Sequence, residues 1–145
     1  MSRNSFLMTW NPRVYAWADI ARDVRKLRRD GRLRTGWSCA RSKLIRAGDR
    51  VFILRQGVEP RGIVGSGRAI SDWYEGPGWR QRGAPCNYVD IELDALLDAS
   101  RDPILPRAAL PAGMYWDTQS SGVRIREPAA ARLETLWRSF LRGLR

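Results

Sequence analysis

Residues Tyr88 to Leu97 alternate strictly, with Val89, Ile91 and Leu93 on one side and Asp90, Glu92 and Asp94 on the other. A period of two fits only a strand, and one with a dry face and a wet face. It commits this part of the chain to a sheet packed on one side, an arrangement common in antiparallel sheets. A second run, Val51-Phe52-Ile53-Leu54, is apolar throughout, as in a strand covered on both faces. Phe6-Leu7-Met8-Thr9-Trp10 reads as a strand ended by Asn11-Pro12, and Val123-Arg124-Ile125 as a short final one. Arg61 to Ile70 reads as another, in which Gly62, Gly65 and Gly67 predict a bulge or the close approach of another backbone. Gly65-Ser66-Gly67 is no dinucleotide fingerprint, because the third glycine and the following helix are missing.

Helical spacing appears near both ends. Trp17, Ile20, Ala21, Val24 and Leu27 form one stripe, with Gly31 as its C-terminal stop. Arg22, Arg25, Lys26, Arg28 and Arg29 fill much of the rest of that helix. Pro128 suits the first turn of a second helix, whose stripe is Leu133, Leu136, Trp137, Phe140, Leu141 and Leu144. Trp17 and Trp137 are assigned to the core on this spacing. Ala47-Gly48-Asp49 is a turn, Gln56 to Pro60 a hairpin-like connection, and Pro103 to Pro111 a proline-punctuated segment. Gly36 to Lys43, Ser71 to Asn87 and Met114 to Gly122 read as loops. Strands in the middle with helices near both ends predict an α+β chain: a small, mostly antiparallel, barrel-like sheet with helices packed outside. At 145 residues the expected organisation is a single domain over 1–145.

The 28% charged and 43% hydrophobic composition is that of a soluble globular protein. No apolar run approaches the roughly 18–20 residues of a membrane span, and the N-terminal residues have no long apolar stretch of a secretory signal. The expected location is the cytoplasm, without a membrane partner and with Cys39 and Cys86 as reduced thiols. The net charge is +11; of 26 basic residues only Lys26 and Lys43 are lysines, so 24 are arginines. Such an excess attracts polyanions, nucleic acid foremost. Arginine adds bidentate phosphate contacts and stacking on bases.

The chain has no histidine. That removes Ser-His-Asp and Cys-His nucleophile systems and Cys/His zinc sites. It does have seven tryptophans. Five stand beside small polar residues at strand ends or in loops: Trp10, Trp37, Trp73, Trp79 and Trp116. A buried indole N–H needs a partner, so a core uses few tryptophans well. Flat rings interleaved with Ser, Asn and Gln suit a flat polar ligand such as a nucleobase.

Six segments then occur in order: Trp10-Asn11-Pro12, Trp37-Ser38-Cys39, Ala47-Gly48-Asp49-Arg50-Val51-Phe52, Gly62-Ile63-Val64-Gly65-Ser66-Gly67, Tyr88-Val89-Asp90-Ile91 and Gln119-Ser120-Ser121-Gly122. Together they resemble the EVE domain of the PUA-like superfamily, from about Phe6 to Trp137. The resemblance implies a PUA-like fold, similar to that of YTH domains, which hold N6-methyladenine in an aromatic cage. It implies a stand-alone reader of a flipped, modified base, above all modified cytosine in DNA such as 5-methylcytosine, with no cofactor and no catalysis. It also implies a functional link to restriction or defence and to a separate nuclease. Ala40 departs from the pattern, which has Gly after the Ser-Cys pair, and this bears on the shape of the pocket.

The candidate base pocket comprises Trp10, Asn11, Trp37, Ser38, Trp73, Tyr74, Trp79, Trp116, Gln119, Ser120 and Ser121. Trp37 and Trp79 are the candidates for the sandwiching rings. Arg41, Lys43, Arg80 and Arg82 adjoin these loops and are the candidates for phosphate contacts. A reader of a small base modification must flip the nucleotide out or take it from a single strand. Two other classes compete. A PUA-like RNA-binding module would use the same rings, the 2′-hydroxyl deciding between polymers. A metal-dependent nuclease would use Asp90, Glu92 and Asp94, although no lysine stands two residues after Glu92. A protein-interaction surface built on the tryptophans is a third alternative.

Overall fold

The computed structural model describes residues 3–77 and 85–144. Eight strands and two helices run in the order β1 (Ser5–Trp10), α1 (Ile20–Asp30), β2 (Leu33–Ala40), β3 (Arg50–Arg55), β4 (Gly62–Ala69), β5 (Tyr74–Gly76), β6 (Cys86–Leu96), β7 (Leu105–Pro106), β8 (Val123–Ile125) and α2 (Ala129–Gly143). One mixed sheet holds all eight strands, in the order β2-β6-β4-β3-β1-β8, with β5 added to β6 and β7 to β4. Only β1 and β3 pair in parallel among the described residues; the other pairings are antiparallel. The α+β class with a mostly antiparallel sheet and flanking helices is what the sequence predicts. The sheet curls without closing, so β2 and β8 remain its two edges.

The pattern of residues accounts for the pattern of burial. Val51, Phe52, Ile53 and Leu54 are all buried, as their unbroken apolar run requires. Along β6, Val89, Ile91 and Leu93 face the core and Asp90, Glu92 and Asp94 do not. Ladder shifts at Ile53/Leu54 and Ser66/Gly67 mark the bulges that the glycines of β4 predict. At Gly67 the reason is contact: a Cβ there would lie 2.3 Å from the carbonyl oxygen of Glu92.

α2 covers one region of the sheet. Trp137 is fully buried, and its indole N–H donates to Ser66 Oγ at 2.9 Å. Removing that much indole from water contributes about 4–6 kcal/mol before ordering costs. Arg50 makes a two-point ion pair with Glu134 at 2.8 and 3.0 Å and donates to Asp94 at 2.6 Å. The charge is buried but fully partnered, as burial demands. α1 packs Val24 and Leu27 inward, and Gly31 ends it in the left-handed conformation at φ 80°.

Two departures from the sequence reading bear on function. The stretch 36–43, expected as a loop, begins inside β2. Leu33, Trp37 and Cys39 alternate inward while Arg34, Gly36, Ser38 and Ala40 are at least partly exposed. Its small polar residues conceal the period of two. Trp17 lies ahead of α1 and is only partly buried. Among the described residues no helix is long and apolar enough to cross a membrane.

Candidate functional site

The unclosed seam between β1 and β2 opens into a cleft of about 1120 Å³. The end of β1 and the turn after it contribute Thr9, Trp10, Asn11 and Tyr15. One wall comes from β2 and β6, with Trp37, Ser38, Ala40, Arg41, Cys86 and Tyr88. Another comes from the β3–β4 connection and the loop before β8, with Gln56, Gly57, Arg61, Tyr115, Asp117, Gln119 and Ser121. Clefts that take drug-sized ligands span roughly 300–1,000 Å³, so this one has room for more than a single flat ring.

Local backbone chemistry places these groups. β8 pairs with β1 only as far as Leu7. Beyond that, Gly122 N–H donates to Leu7 O at 2.8 Å and Ser121 Oγ accepts from Thr9 N–H at 3.1 Å, which continues the edge in another form. Gly122 has φ 78°, and a Cβ there would stand 2.7 Å from Cys39 Cβ. Glycine is therefore required both by conformation and by space where the loop crosses β2. Asn11 closes a turn: its carboxamide oxygen accepts from Arg13 N–H at 2.9 Å. Gln56 donates from Nε2 to Thr118 O at 2.6 Å and ties the loop to the β3–β4 connection.

The aromatic content is a packed cluster. Trp17 stands 5.5 Å from Trp10 at 77° and 5.3 Å from Trp37 at 50°. Tyr15 meets Trp37 edge-on at 6.2 Å and is half exposed. Each indole N–H of the cluster has a partner: Trp10 donates to Tyr15 O, Trp37 to Thr9 O and Trp17 to Asp23 Oδ2. Trp17, assigned to the core by its spacing, is thus the ring behind both cleft tryptophans. The helix begins only at Ile20, so Trp17 stands before its first turn and outside the stripe that its spacing suggests.

Of the candidate pocket residues, Trp10, Asn11, Trp37, Ser38, Gln119 and Ser121 come together in the cleft, and Arg41 of the phosphate candidates joins them. Trp116 does not: it is buried in the core, its N–H donating to Pro111 O at 2.7 Å. Trp73 packs partly against the core with Lys43 Nζ 5.6 Å above its ring, away from the cleft lining. Ser120 is exposed beside the cleft. Tyr74 is also outside the lining, its hydroxyl donating to Asp90 at 2.6 Å. Trp79, Arg80 and Arg82 lie outside the described residues. Sequence reasoning missed Tyr15, Cys86, Tyr88 and Tyr115; only Tyr115 stands in a Trp-centred segment, beside Trp116.

Ala40 adopts φ 54°, in the left-handed region that favours glycine. It sits where the β2–β6 ladder shifts between Ser38 and Ala40. Ser38 Oγ and Cys86 Sγ lie 3.0 Å apart beside it. Burial pushes the Cys39 thiol up to about 11. The hydrogen bond to Asp90 raises the Tyr74 hydroxyl to about 12, so it stays protonated as the donor. Arg107 makes a two-point pair with Asp117 at 2.9 and 3.0 Å and holds that carboxyl below its ordinary range.

The three alternating carboxylates of β6 are separately engaged. Asp90 accepts from Tyr74, Glu92 pairs with Arg34 at 3.0 Å, and Asp94 takes Arg50 and Ser66. Among the described residues no three His, Cys, Asp or Glu side chains are grouped to hold a metal ion.

No family model and no curated protein sequence matches the chain. Solved structures do match it over nearly its whole length. A hypothetical protein from Leishmania major is similar with a TM-score of 0.65 at 14% identity, covering 97% of this chain and 98% of that one. A protein from Pseudomonas putida is similar with a TM-score of 0.58 at 19% identity, covering 91% and 98%. Human THYN1 protein, crystallised in complex with 5-methylcytosine-containing DNA, is similar with a TM-score of 0.58 at 11% identity, covering 92% and 96%. The chain therefore shares the α+β fold of these structures, a mostly antiparallel sheet that does not close, with two helices.

Proposed function

We propose that this protein binds nucleic acid and reads a single modified base, modified cytosine in DNA such as 5-methylcytosine, held in the Trp10–Tyr15–Trp37 cleft. The observation that carries the reading is the cleft itself: aromatic rings with satisfied N–H groups, lined by Ser38, Asn11, Gln119 and Ser121, in a chain of net charge +11. Its place at the seam of an EVE-like fold, shared with a human protein crystallised on 5-methylcytosine DNA, supports the choice of ligand. The base reaches the cleft extruded from a duplex or from a single strand. Unstacking costs a few kcal/mol, and stacking on aromatic side chains returns roughly 1–3 kcal/mol per base. Polar groups of the wall choose among base edges, while the arginine surface supplies most of the affinity and makes it salt-dependent.

Binding rather than catalysis is the proposed activity, since each carboxylate of β6 is committed to a structural partner. A role in the cytoplasm beside a separate nuclease completes the proposal. The test is a binding screen at fixed salt against modified and unmodified oligonucleotides, single- and double-stranded, DNA and RNA. Preference for one modified DNA base supports the reading. Equal binding of all sequences and polymers contradicts it, and preference for RNA transfers the cleft to the RNA-binding alternative.

A further inference from the structure

β6 carries its aromatic wall past the edge of the cleft. Tyr88 lines the cleft, and Tyr74, its direct partner on β5, does not. Their rings are 6.2 Å apart and inclined by 28°, close to parallel. Tyr74 is 42% exposed, a large amount for a ring held so firmly. Both hydroxyls are anchored: Tyr74 donates to Asp90 Oδ1 at 2.6 Å and Tyr88 donates to Pro77 O. A ring with a fixed orientation loses little entropy when another ring stacks on it. On the same wall Arg41 lines the cleft and has no carboxylate partner among the described residues. By contrast, Arg61 pairs with Glu59 and Arg107 with Asp117 on the other wall, so their charges are locally cancelled.

We infer that Tyr74, stacked on Tyr88, is a second subsite, which takes the nucleotide adjacent to the base in the cleft, with Arg41 at the phosphate between them. This rests on the reading of the cleft as a base site and adds to it a direction for the strand. The polynucleotide leaves over the β2–β6 wall, where Tyr88 carries the exposed Tyr74 ring on one side and Arg41, with no carboxylate partner among the described residues, follows β2 on the other. It does not leave over the other wall, where the guanidinium groups of Arg61 and Arg107 are already held by Glu59 and Asp117. The protein then recognises a strand of at least two nucleotides, and a free nucleoside fills only part of the site.

The test measures binding of a modified nucleoside and of a short single strand carrying the same modified base, for the wild type, Tyr74→Leu and Trp37→Leu, with thermal melts of each. The wild type should bind the strand more tightly than the nucleoside. Tyr74→Leu should lose roughly 5- to 100-fold for the strand, the worth of one stacked base, and leave nucleoside affinity within about twofold. Tyr74→Phe, which keeps the ring, should retain most of the strand affinity. If Tyr74→Leu melts like the wild type and leaves the ratio of strand to nucleoside affinity unchanged, the second subsite is wrong. If Trp37→Leu, folded, leaves nucleoside affinity unchanged, the cleft reading itself fails and this inference falls with it.

Discussion

The indole N–H of Trp37 donates to the backbone carbonyl of Thr9 at 3.3 Å, across the seam where β1 and β2 face each other without pairing. One side chain therefore does two things. It lines the cleft, and it joins the two strands whose separation creates it. Trp37 is only 9% exposed. Truncation to alanine would cost about 3–5 kcal/mol of stability, as for other buried tryptophans. Leucine, which keeps apolar volume and removes the stacking face, is the better probe of binding.

Trp17 is held by Asp23 at 2.8 Å and supports both Trp10 and Trp37. Replacing Asp23 by leucine frees the Trp17 ring. The expected outcome is weaker binding of the modified base by several-fold with an unchanged dependence on salt, because no phosphate contact is touched. Titration of an oligonucleotide at several salt concentrations checks both. A changed salt slope with an intact modified-base preference would refute the supporting role.

Ala40 at φ 54° holds a conformation that costs an ordinary L-residue roughly 1–2 kcal/mol. Glycine relieves that strain but adds freedom to the unfolded chain worth about 0.4–1 kcal/mol. Ala40→Gly should therefore leave stability equal or raise it by up to about 1.5 kcal/mol. Chemical denaturation measures this, and a loss of stability would show that the alanine methyl makes a contact of its own.

The Cys39 thiol ionises near 9.0 when free and is pushed up to about 11 by burial in the folded chain. The unfolded state therefore gives up this proton first as pH rises. Stability from this group is complete below about 9 and is lost as pH climbs to about 11. Cys39→Ala should remove that alkaline limb while lowering stability at neutral pH. Melting curves from neutral to strongly alkaline pH check it, and an identical alkaline decline in the variant would assign the loss to other groups.

The framework was legible because its signals are periodic. The alternation of β6, the apolar run of β3 and the stripe of α2 each name their element, and the glycines of β4 mark its bulges. β2 was hidden because Gly36, Ser38 and Ala40 face the seam, so the functional face of the strand looks like a loop. Half of the site was legible for a related reason. Asn11 is short-range turn chemistry, visible locally, and Ser121-Gly122 reads as a turn although its bonds reach across the fold to Thr9 and Leu7. Tyr88 enters the cleft through sheet pairing and carries no local signal, whereas Tyr15 is fixed by the local turn at Asn11 and Tyr115 adjoins Trp116. Trp116 shows the converse: its polar neighbours suggest a site, and its N–H is satisfied within its own loop.

Arg41 lines the cleft without a carboxylate partner among the described residues. If it holds a phosphate, Arg41→Gln should weaken binding to every sequence alike. The slope of log affinity against log salt should fall by about 0.7 for single strands or 0.9 for duplex, the value of one contact. An unchanged slope would remove Arg41 from the phosphate path.

The central claim is that Trp37 in the seam cleft carries discrimination for a modified base. Its most direct measurement is the affinity ratio between matched DNA strands with 5-methylcytosine and with cytosine, at one salt concentration, for the wild type and Trp37→Leu. The account predicts tighter binding of the methylated strand by the wild type, and a ratio near one for a folded Trp37→Leu that keeps its salt-dependent affinity. A wild-type ratio of one, or a preference that survives in the folded variant, would contradict it.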